Sequence, residues 1–157
     1  MGDASRNYKI PQSVLVVIHT PAHDVLLIRR TDAGTWQSVT GSLDSLEESP
    51  YQAACREVKE ETGIDAQGPD HQLIDLNIRH QFEIHPSYRH RYAPSTTHNV
   101  EHVFSLQVPK RFDIVLNPRE HANWCWQIAD KAIDLVFSYT NADAIQRINA
   151  NTWVAKK

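Results

Sequence analysis

Two cysteines in 157 residues are too few for a disulfide framework. Cys55 and Cys125 show no paired spacing, so reduced thiols in a cytoplasmic protein are the expectation. No apolar run approaches the roughly 18–20 residues that a membrane-spanning helix needs. The first residues are polar, with no apolar signal-like segment. Basic charge is not in excess: the formal net charge is −3. That balance argues against a nucleic-acid or membrane-surface protein. No repeat or low-complexity segment interrupts the chain. What remains is a chain long enough for a real core, expected as one domain over residues 1–157.

What is present is a mixture of strands and helices. Residues 13–19 form a continuous apolar run with β-branched side chains, the pattern of a buried strand. Residues 25–30 read as a second strand ending in Arg29 and Arg30, and residues 35–40 as short and extended. Residues 73–84 and 100–108 read as further strands, with short ones at 112–116 and 124–128. Residues 129–135 and 142–149 look helical. The elements lack the regular alternation of a parallel α/β fold, so the fold class is α+β with a mixed sheet.

The most informative stretch is 41–64, GSLDSLEESPYQAACREVKEETGI. Ser49 suits an N-cap, Pro50 the first helical position, and Gln52 the capping-box position. Gly63 stands where a helix end needs a left-handed residue. These signals predict a helix over residues 50–62. At roughly 100° per residue, Tyr51, Ala54, Cys55, Val58 and Thr62 share the core-facing arc. Glu57, Glu60 and Glu61 fall on the neighbouring arc. Glu57 and Glu61 are a like-charge i,i+4 pair, and only Arg56 can answer Glu60. A helix built for stability alone would intersperse the signs. Two readings stand at this point: a solvated acidic face, or a site for a hard divalent cation, Mg²⁺ or Mn²⁺.

The same stretch resembles the Nudix box: a glycine, five residues, Glu, seven residues, then Arg-Glu-U-x-Glu-Glu-x-Gly-U, with U apolar. Gly41, Glu48, Arg56, Glu57, Val58, Glu60, Glu61, Gly63 and Ile64 match its nine typed positions. Six residues, not five, separate Gly41 from Glu48, so Glu47 and Glu48 both compete for the role of first glutamate. Residues 8–18, 26–41, 71–84 and 88–94 are similar to one Nudix subgroup, the bacterial pyrophosphatases of dihydroneopterin triphosphate in folate biosynthesis. The runs WQSVTG and RHRYAP carry that similarity.

The resemblance implies an α/β/α sandwich and Mg²⁺-dependent hydrolysis of a phosphoanhydride bond, releasing pyrophosphate and the monophosphate. It makes Glu57 and Glu61 metal ligands, with Glu120 a further ligand or the base, brought in by a distant loop. Glu48, Arg56 and Glu60 are the remaining catalytic candidates. Substrate contacts are expected from Lys9, Arg29, Thr40, Phe82, Glu83, Ile84, His85 and Ser138. Among these, Arg29 can pair a phosphate, with Arg30 competing. Phe82 offers a stacking face, and Glu83 can accept the paired N–H donors of an aminopyrimidine.

The partner implied is a small molecule, a pterin or a nucleoside triphosphate, with no nucleic acid and no membrane. A broader hydrolase of (d)NTPs such as dATP is the alternative, and a non-catalytic nucleotide sensor a further one. Outside these sets, His80, His85 and His90 recur every five residues, which fits neither one helix face nor one strand face. Trp124 and Trp126 alternate as packing residues.

Overall fold

A computed structural model describes residues 8–150. The centre of the sheet is β1 (Gln12–His19), whose residues Val14 to His19 are all buried. A strand covered on both faces has no polar side to show, which explains the unbroken apolar run. β1 pairs in parallel with β6 (His98–Gln107) and antiparallel with β4 (Val39–Ser42). β2 (Asp24–Arg30) lies antiparallel to β7 (His121–Ile128) and to the two-residue β3 (Trp36–Gln37). β5 (Gln72–Glu83) closes the other side on β6. Its ladder shifts register between Asp75 and Ile78, where Asn77 takes a φ of 59°. Asparagine is among the few residues that adopt this left-handed conformation readily.

α1 (Pro50–Thr62) has the limits its end signals predict. Ser49 accepts from the Gln52 N–H, and the Gln52 side chain accepts from the Ser49 N–H. Gly63 ends the helix at φ 77° and donates to the Lys59 carbonyl. α1 packs on Val14, Val16, Val39 and Phe104, whereas α2 (Ala129–Leu135) and α3 (Tyr139–Ala150) cover Leu15, Val17 and Val103 on the opposite face. The class is therefore α+β, a mixed sheet between helices. Among the described residues no helix is long and apolar enough to cross a membrane. Cys55 and Cys125 are both free.

Two local expectations fail, and one element is new. Residues 112–116 do not form a strand. Ile114 is buried and Phe112 stacks near Trp126, so apolar alternation there reflects packing without a partner strand. Tyr51 is 40% exposed and touches Phe104 only edge-on, whereas Ala53 is fully buried. The buried arc of α1 is thus rotated toward the acidic side and includes Glu61. A short 3-10 helix at Pro86–Arg91, not anticipated, turns the chain between β5 and β6.

Candidate active site

Glu61 is 2% exposed, although nothing in its immediate sequence marks it as buried. The last turn of α1 presses it against β4, where the Thr40 backbone N–H donates to its carboxylate. Its Oε1 has no hydrogen-bond partner. Burial drives its pKa well above the carboxylate range, and the adjoining Glu57 and Glu120 charges push the same way. Glu57 is raised as well, first by burial, against the opposing pull of its bond to Glu61 and of Arg56. The two carboxyls share a hydrogen bond, which requires a proton between them. Deeper burial at Glu61 favours the protonated form on that side.

Arg56 organises the rest. Its Nε donates to Glu48 Oε2 at 2.9 Å and its Nη2 to Glu48 Oε1 at 3.1 Å, a bidentate pair. The same guanidinium reaches Glu57 at 3.0 Å, Glu60 at 3.3 Å and the Ser42 carbonyl at 2.9 Å. Glu48 also accepts from the Asp44 backbone N–H at 2.7 Å. Arg56, first, and then this amide hold the Glu48 pKa below its usual value. Glu48, not Glu47, therefore faces Arg56. Gly41 has a separate reason to be glycine: a Cβ there would stand 2.0 Å from Glu57 Cδ.

The NUDIX domain model matches residues 9–147. The chain belongs to the Nudix family. It is 43% identical over 142 residues to a dihydroneopterin triphosphate diphosphatase of Haemophilus influenzae, covering 89% of this chain and 88% of that one. To the protein of the same name from Escherichia coli K12 it is 44% identical over 148 residues, covering 92% and 95%. The solved E. coli dihydroneopterin triphosphate pyrophosphohydrolase superposes with a TM-score of 0.83 at 42% identity, covering 93% of this chain and 99% of that one.

Nudix hydrolases generally need a divalent metal, and the donor set here fits one. Two crowded carboxylates share one proton and keep a net negative charge, and one oxygen is orphaned; a hard cation with oxygen ligands would answer both. Among the described residues no three His, Cys, Asp or Glu groups already stand close enough to hold it. Glu120 is exposed and is near enough to raise the Glu61 pKa. Its loop is anchored by the Glu120 carbonyl, which accepts from the Thr31 N–H at 2.9 Å. The adjacent His121, overlooked in the sequence, is buried with Nε2 3.8 Å from Glu61 Oε1. That distance is too long for a hydrogen bond. Burial lowers the His121 pKa, so the pair is not an ion pair at neutral pH.

The expected substrate residues divide between the two faces of this Nudix sheet. Lys9 is close enough to Glu57 to feel its charge, while partial burial and Arg91 lower the Lys9 pKa. Strand alternation puts Arg30 on the α1 face, where Glu120 and Glu61 act on it, but Asp32 already clasps it at 2.6 Å. Arg29 lies on the α3 face, exposed, donating to the Gly34 carbonyl at 3.2 Å. Thr40, opposite Leu15, and Phe82, opposite Asn99, point to that same face. Glu83 points away from it and is paired with Arg89 at 2.5 Å. Ile84 is buried, and the His85 imidazole caps the 3-10 helix by accepting from the Ser87 N–H. Ser138 Oγ accepts from the Asn141 N–H at 3.1 Å at the start of α3.

Proposed function

We propose that this chain is a dihydroneopterin triphosphate diphosphatase, a cytoplasmic enzyme that cleaves the triphosphate to the monophosphate and pyrophosphate. The observation that carries the reading is the buried Glu57–Glu61 pair behind Gly41, in a chain 43–44% identical to proteins of that name over nearly their whole length.

The residues divide the work. Glu57 and Glu61, joined by Glu120, would hold Mg²⁺, with Mn²⁺ the alternative. Such a cation neutralises phosphate charge and makes a bound water more acidic. Arg56, fixed by Glu48, keeps Glu57 aimed at the site. Glu60, whose side chain is 53% exposed and held only by a 3.3 Å bond to Arg56, is the carboxylate best able to take a proton from the attacking water. The water oxygen forms a new bond to phosphorus as the bridging P–O bond breaks, and the electron pair leaves on pyrophosphate or the monophosphate. Lys9 and Arg29 are the cations available to the phosphate chain.

The test is a substrate panel with Mg²⁺: dihydroneopterin triphosphate against dNTPs, ADP-ribose and dinucleoside polyphosphates, with products identified. A pterin preference above about tenfold in kcat/KM is expected, a margin of about 1.4 kcal/mol. A smaller preference overturns the assignment in favour of a broader (d)NTP pyrophosphohydrolase.

A further inference from the structure

The α3 face of the sheet carries a second set of buried, unsatisfied polar atoms, away from the acidic helix. Glu101 is 8% exposed and Asn99 4% exposed. Both lie on β6 with side chains on the α3 face, in register with His80 and Phe82 of β5. Glu101 accepts from Thr140 through one oxygen, while its Oε1 has no partner. Asn99 Nδ2 donates to Ser13 Oγ at 2.8 Å, while its Oδ1 has none. His80 Nε2 is a third orphan. Burying acceptors without partners costs about 1–3 kcal/mol each, so a fold that keeps two side by side calls for a reason.

The surroundings suggest one. Phe82 is 37% exposed and Tyr139 is 74% exposed, and the Tyr139 ring meets His80 edge-on with centroids 6.4 Å apart. The buried acceptors thus lie beside two exposed aromatic rings on this face. The acidic helix lies on the other face of the sheet. Ser13 lies in register with Glu101 on one side and with Ser42 of β4 on the other. β4 and β6 are therefore about two strand spacings apart, near 10 Å, and β4 carries the Gly41 backbone against Glu57. Gly41 pairs with Val14 on the α1 face, so a triphosphate joining the two places would pass round the edge of β4.

We propose that Glu101 and Asn99 are the specificity-determining residues for the heterocycle. Glu101 would accept two adjacent ring N–H donors of a 2-amino-4-oxo-pyrimidine edge, Asn99 Oδ1 a further N–H, and His80 would donate to the ring carbonyl. The ring lies between Phe82 and Tyr139. This rests on the pterin reading above and assigns the recognition to Glu101 instead of Glu83, whose carboxylate Arg89 already occupies. Burial raises the Glu101 pKa, opposed by Thr140 and His80; paired ring donors would favour its charged form in the same sense.

The experiment measures binding of dihydroneopterin, which has no phosphate, to wild type and to Glu101→Gln by titration calorimetry. Glutamine keeps the volume and the Thr140 bond but sets an N–H donor against a ring donor. Affinity is expected to fall at least about tenfold, the loss for one charge-assisted bond. A smaller loss overturns the proposal. Glu101→Asp, which withdraws the oxygens from the ring, is held to the same threshold, and melting temperatures confirm that each variant is folded. If wild type takes no pterin, the substrate reading fails by itself. The edge is then read with dGTP, which presents the same adjacent donors, against dATP, which does not. The dGTP-to-dATP ratio of kcat/KM should drop about tenfold in Glu101→Gln; an unchanged ratio overturns the assignment.

Discussion

The Glu57 carboxyl occupies the space a side chain at Gly41 would fill: an added Cβ would lie 2.0 Å from its Cδ and from its Oε2. The box glycine and the metal-ligand candidate, 16 residues apart in sequence, are thus one steric unit. Because the clashing atoms are the far end of a flexible side chain, Gly41→Ala should shift Glu57 without breaking the strand. Stability should change by less than about 1 kcal/mol, at the mild end of overpacking. Turnover should fall by about 100-fold or more, as misplaced catalytic groups do. Steady-state kinetics alongside urea melts separate the two effects; a wild-type kcat would show that Glu57 needs no such seat.

Glu61→Gln tests the buried end of the same unit. Glutamine removes the group that is costly to ionise there but keeps its shape. The melting temperature without metal should hold or rise above pH 7, because a carboxylate with a raised folded pKa destabilises the fold increasingly as pH climbs from the unfolded pKa through the folded one. Turnover should fall by orders of magnitude. The stabilisation that wild type gains from millimolar Mg²⁺ should also vanish, since a ligand bound only by the native state raises stability by mass action. Equal Mg²⁺-induced shifts in both proteins would remove Glu61 from the metal site.

Arg56→Lys should be far from conservative. Lysine cannot reproduce the fork that holds Glu48 through two bonds while also reaching Glu57 and the Ser42 carbonyl. The Glu48 side chain is 14% exposed, so losing its partner leaves a largely buried carboxylate poorly compensated. A stability loss of about 1–3 kcal/mol is expected in chemical denaturation, with kcat lowered more than tenfold as Glu57 loses its brace. A variant that melts like wild type would mean that Glu48 finds other partners.

The parts of this molecule that were legible in the sequence are those whose causes are local. α1 was bounded by Ser49, Gln52 and Gly63, and each of these acts within one turn of the helix end. β1 announced itself because burial on both faces demands an apolar run. Pairing was not legible: neither the parallel β1–β6 ladder nor the attachment of β4 to β1 has a local cause. Alternation at residues 112–116 reported burial correctly and hydrogen bonding wrongly, since the Val115 N–H goes to the Thr62 carbonyl at the end of α1. The acidic arc was visible as spacing, but Glu61 was expected beside the core and lies within it. Glu101 left a signal that went unread: a carboxylate among Val100, Val103 and Phe104, at a position where a strand face should be apolar.

Acid sensitivity should come from the interior as well as from carboxylates. His19 is 4% exposed, its Nδ1 lies 3.2 Å from the Thr20 carbonyl, and its Nε2 has no partner. Burial lowers its pKa below the ordinary 6.5, with the Thr20 contact opposing and His23 adding a little. The imidazole is therefore neutral in the fold, and the unfolded chain binds the proton first. Its contribution is present in full above the unfolded pKa near 6.5 and is lost as pH falls toward the folded value. Unfolding free energy should decline below pH 6.5, with His19 supplying at most about 1.4 kcal/mol per pH unit, the limit for one proton. His19→Gln has no charge to gain and should flatten that slope between pH 6.5 and 5 in urea denaturation. An unchanged slope would mean that His102 and His121, whose pKa values burial also lowers, carry the acid response between them.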